Sequence, residues 1–165
     1  MRYLEKIIVL VLVLFVLLRF FIASKFISTS IVFFTLLLSI IYLFFGFALQ
    51  NQIRLRDIFK TISYNNISAL KILGTIFSGL VLALVCIYSL FKFMSWPFAD
   101  QGLTIALQSL LAVVLVVLIK LYFNKRSFSK TFLIRLFVIG IIGFIFYVLP
   151  ANIFLELLPR IDFAA

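Results

Sequence analysis

The chain has no histidine, one cysteine and only five acidic residues among 165. Each scarcity excludes something. Without imidazoles, and with Cys86 as the single thiol, a transition-metal site has no ligand set and an intrachain disulfide cannot form. The acids are Glu5, Asp57, Asp100, Glu156 and Asp162, and none lies at the middle of an apolar run, so no relay of intramembrane carboxylates can be assembled. A serine nucleophile would need a lysine base, and no serine–lysine pair falls within the core of one apolar run. No catalytic residue, cofactor or metal is therefore expected.

What the chain has in excess is apolar surface. It is 66% hydrophobic and only 12% charged, with 22 phenylalanines read as bulk facing lipid. Soluble domains hold about 45–50% apolar residues, so water cannot be the solvent around this one. Five apolar stretches, 3–21, 26–49, 72–93, 103–123 and 132–149, are each about long enough to cross a ~30 Å hydrocarbon layer as a helix. Runs such as Ile7–Leu18 lack the alternation of a membrane β-barrel strand. The sequence thus predicts an all-α integral membrane bundle of about five transmembrane helices, a single domain over 1–165. The basic start at Arg2 and Lys6 precedes an apolar core with no small-x-small pattern after it, so 3–21 reads as a retained span.

Net charge is +10. The basic residues flank the spans, which points to anionic lipid headgroups and orientation signals, not to nucleic acid. With the N-terminus inside, eleven Lys/Arg fall on the inner side and four on the outer, so the prediction is N-in and C-out. Arg19, Lys92, Lys120 and Arg135, near span ends, are expected to snorkel to the interface. The connection 50–71 has Leu55, Ile58, Phe59 and Ile62 at helical spacing, with Arg54, Arg56 and Lys60 on other faces. It predicts an amphipathic helix on the inner leaflet, contacting anionic lipid or a partner through those three cations. Asn65–Asn66 reads as a turn, and Ser68 as a cap for the third helix.

Small residues predict close packing. Gly74 and Ser78, and Gly79 and Ala83, lie four apart in span three; Gly140 and Gly143 narrow one side of span five. Span three is expected to be the most buried. Thr35 and Ser39 share a face of span two and Gln108 and Ser109 lie in span four, where such groups bond between helices or line a polar cavity. The stretch 17–21 echoes 90–94, each ending an odd-numbered span with a cation, which reads as a parallel duplication of a two-helix hairpin.

The most specific local pattern is Lys92–Phe93–Met94–Ser95–Trp96–Pro97–Phe98–Ala99. Lys92, Trp96 and Pro97 read as an interface anchor and helix stop, with Gly102 allowing the turn into the next helix. This stretch resembles the outside turn of multi-span Bacteroidetes inner-membrane proteins, a K-x-x-x-W-P motif shared with the membrane subunit of the gliding-motility and type 9 secretion motor. Lys92, Trp96, Pro97 and Ala99 match; Ser95 stands where histidine is usual and Phe98 where glycine is usual. The resemblance implies a bacterial inner membrane and an accessory role, while the motor subunit's intramembrane carboxylate has no counterpart here. The expected function is a non-enzymatic accessory or scaffold subunit with a membrane-protein partner or a second copy of itself. The alternative is a small oligomeric transporter, channel or lipid-handling protein. An intramembrane enzyme, or an enzyme's maturation partner, would need clustered polar side chains such as Asn51, Arg54, Arg56 and Asp57 at the inside border.

Overall fold

A computed structural model describes residues 2–51, 53, 55–58, 60, 69–123 and 130–150. Arg54, Phe59, Ile62, the Asn65–Asn66 turn, the Ser68 cap, Lys125, Arg126 and the tail 151–165 lie outside the described residues.

The described residues form five α-helices: α1 (Arg2–Phe21), α2 (Lys25–Asn51), α3 (Ala69–Phe93), α4 (Ala99–Phe123) and α5 (Lys130–Val148). Four of them, α2 to α5, are long and apolar enough to cross a membrane. In α1 the same length holds Glu5, Lys6 and Arg19, which dilute its apolar character. Over the connection between α2 and α3, the described residues hold a 3-10 turn, Leu55–Asp57, with Asp57 paired to Lys60 at 2.9 Å and facing Arg56 at 3.9 Å.

Consecutive helices run antiparallel. The end of α2 meets the start of α3 through Asn51 and Thr75, and Lys92 at the end of α3 meets Asp100 at the start of α4. Helix α3 packs on α2, α4 and α5, so it occupies the middle of the bundle, although α2 is buried to a similar extent. The core across the bundle's midsection is apolar, with Leu38 and Ile41 from α2, Val81, Leu82 and Val85 from α3, Leu110 and Val113 from α4, and Ile139 from α5. In lipid no hydrophobic force drives helices together, so backbone approach and van der Waals fit must do so.

The closest approach is between α2 and α3. A Cβ on Gly79 would stand 2.6 Å from the Tyr42 carbonyl oxygen, and one on Gly46 would stand 2.8 Å from the Gly79 Cα. Of the small residues expected to pack, Ser78, Gly79 and Ala83 are buried. Gly74 is the correction: it is exposed, and a Cβ there would meet nothing within 4 Å. Gly46, the missing half of the contact, was not predicted. In α5, Gly143 accommodates Val85 and Leu107, while Gly140 sits against Leu110.

The α3–α4 turn is built differently from expectation. Trp96 N–H donates to the Phe91 carbonyl (2.8 Å) and Ser95 N–H to that of Lys92 (3.1 Å), with Ser95 at φ 54°. That pair of bonds is a Schellman motif. Its usual apolar contact is present as Phe91 and Trp96 rings 5.0 Å apart. Helix α3 therefore stops at its own cap, and Pro97 follows the stop. Gly102 is not a turn residue; it lies inside α4 with no positive φ, and the Tyr88 ring occupies the space its side chain would need.

Candidate functional site

One end of the bundle gathers polar side chains into a buried cluster. Glu5, in the first turn of α1, and Arg135, in the second turn of α5, are 6% and 8% exposed. The Arg135 guanidinium donates through Nε to Glu5 Oε1 and through Nη2 to Glu5 Oε2. Its Nη1 lies 3.4 Å from the Leu49 carbonyl, near the end of α2. Tyr42, in α2, donates its hydroxyl to Glu5 Oε1 at 2.9 Å. Two-point pairing of a guanidinium with a carboxylate is the strongest form of such a contact, and burial makes its completeness matter.

Beside this trio, at the α2–α3 seam, Ser78 donates to Gln50 Oε1 at 2.7 Å and Asn51 donates to Thr75 Oγ1 at 3.0 Å. The cluster thus draws on α1, α2, α3 and α5. At the other end of the bundle, Lys92 is 4% exposed and pairs with Asp100 across the α3–α4 turn.

Several expectations need correction here. Arg19, Arg135 and Lys92 were expected to snorkel, yet all three are buried. For Arg135 the physical reason is a buried carboxylate partner, Glu5, whereas Lys92 reaches the exposed Asp100 across the turn; only Lys120 of the four is exposed. Glu5 was not singled out, although it sits at an end of the bundle and not at its middle. Thr35 and Ser39 bond the carbonyls of Ile31 and Thr35 in their own helix, at 2.8 Å each, instead of reaching across to a neighbour. Gln108 is exposed, so it lines no interior cavity, and Ser109 donates to the Ile105 carbonyl of its own helix. Arg56 and Lys60 are exposed beside Asp57, free of the cluster; Trp96 and Pro97 are exposed at the opposite end.

No protein-family model, curated protein or solved structure matches the chain.

A signal for the trio did exist in the sequence. With five alternating helices, α1 and α5 begin at the same end of the bundle. A carboxylate just inside one start and a guanidinium just inside the other are then at the same height. Chemically, the arrangement holds helices together, because Glu5 on α1 takes its donors from α2 and α5.

Proposed function

We propose that the protein is a non-enzymatic accessory or scaffold subunit of a bacterial inner-membrane complex. In this reading all five helices cross the bilayer, with the N-terminus and the Glu5–Arg135 end on the cytoplasmic side. The charge distribution supports that orientation, and α1 spans because its far end packs with the others: Phe20 of α1 meets Phe93 at the end of α3. The observation that carries the functional reading is the apolar core of Leu38, Ile41, Val81, Leu82, Val85, Leu110 and Ile139 between two polar ends. Such a core supports a structural part over a solute path within one chain. The small oligomeric transporter, channel or lipid-handling alternative would have to place its route between copies.

Membrane-protein partners, a second copy included, would meet the bundle through its lipid-facing helices, and anionic headgroups would meet Arg56 and Lys60. The test is purification of the tagged chain in mild detergent after crosslinking in native membranes. A partner at fixed stoichiometry is the expected result. A lone monomer that transports a solute in proteoliposomes would overturn the reading.

A further inference from the structure

Helix α1 differs from the other four in two respects that bear on each other. It carries the most charge for its length, and it packs chiefly on α2, with α5 reached through the Glu5–Arg135 pair. The remaining helices are tied among themselves by α2–α3, α3–α4, α3–α5 and α4–α5 contacts that do not involve α1. Glu5 is buried, and its donors come from Tyr42 on α2 and Arg135 on α5. The first helix is therefore seated by a charge located 130 residues away.

We propose that Glu5 and Arg135 form a clasp that seats α1 on an α2–α5 core able to stand without it. When closed, the clasp neutralises both charges and lays Ile8, one turn further along α1, into the apolar core. When open, Glu5 leaves the interior, α1 swings from α5 about its connection to α2, and the surface it covered becomes available. Arg135 keeps the Leu49 carbonyl as a partner in that state, so the core retains a contact for its buried cation. Removing one member of a buried pair strands the other, whereas removing both together does not. That asymmetry makes the clasp testable.

The experiment uses the full chain with Ile8→Cys as the α1 reporter and native Cys86, in α3, as the reference for the core. Maleimide labelling of each thiol is followed separately by peptide mass spectrometry in mild detergent. In the otherwise unaltered chain both thiols should react slowly. Arg135→Gln or Glu5→Gln should speed labelling of the Ile8→Cys thiol roughly tenfold or more while leaving Cys86 unchanged. The paired variant Glu5→Leu with Arg135→Met, made together with Tyr42→Phe because the buried Tyr42 hydroxyl donates to Glu5, should return the α1 thiol to its slow rate. The proposal is overturned if the single variants leave the α1 thiol protected, if both thiols become reactive together, or if the paired variant stays as reactive as the singles.

Discussion

A guanidinium offers five donors in one rigid plane. Arg135 turns two of them to Glu5 and a third toward the Leu49 carbonyl, so one side chain joins α5 to α1 and to α2. An ammonium is a single point of charge and cannot reproduce that fork. Arg135→Lys should therefore lose a large part of what Arg135→Ala loses, and loss of one member of a buried pair costs about 3–5 kcal/mol. Thermal melts of both variants in the same detergent measure the ratio; a lysine variant as stable as the parent would refute the role of the fork. A second residue-scale effect concerns Phe98, 76% exposed at φ 60°. The left-handed conformation costs a residue with a Cβ about 1–2 kcal/mol, and glycine escapes that penalty. Phe98→Gly should raise the melting temperature and Phe98→Ala should not, since alanine keeps the Cβ.

Between elements, the decisive contact is the Gly46–Gly79 approach of α2 and α3. A methyl at Gly79 would press on the Tyr42 carbonyl, a backbone atom that cannot rotate away. Gly79→Ala should destabilise the bundle by about 1–3 kcal/mol, the range for overpacking. Gly74→Ala, five residues earlier in the same helix, faces open space and should be neutral or stabilising by up to about 1 kcal/mol. Equal effects of the two substitutions on melting would place the seam elsewhere. This pair also shows what the sequence could and could not tell. Four-residue spacing marked both Gly74–Ser78 and Gly79–Ala83, because spacing defines a stripe on a helix but not which stripe meets a neighbour. The deciding residue, Gly46, lies on another helix, with no second small residue needed beside it. Helix positions, by contrast, were legible to within a few residues, because long apolar runs and their charged borders are local properties.

At the scale of the whole molecule, five antiparallel helices fix which loops share a side. Lys6 and Arg56 belong to the end that holds Glu5, Leu49 and Arg135, whereas Ser24, Trp96 and Gln101 belong to the other. The succession of five apolar runs predicted this ordering from sequence alone. The Glu5–Arg135 pair was harder to see, because a charge near a span end satisfies the snorkelling rule equally well whether it turns outward or inward. Burial, which separates the two cases, depends on neighbours from distant parts of the chain. The same geometry makes the orientation measurable. In a Cys86→Ala background, single cysteines at Lys6, Ser24, Arg56 and Gln101 can be treated with an impermeant maleimide in spheroplasts, then again after lysis. Cysteines replacing Ser24 and Gln101 should label in intact spheroplasts, and those replacing Lys6 and Arg56 only after lysis. Trp96 is the single tryptophan, so its fluorescence gives an independent reading of depth. Lipids brominated close to the headgroup should quench it more strongly than lipids brominated near the acyl terminus, as expected for an aromatic ring at the interface. Labelling of the Lys6 and Ser24 replacements from the same side would mean that α1 does not cross the bilayer, and the five-span arrangement would fall with it.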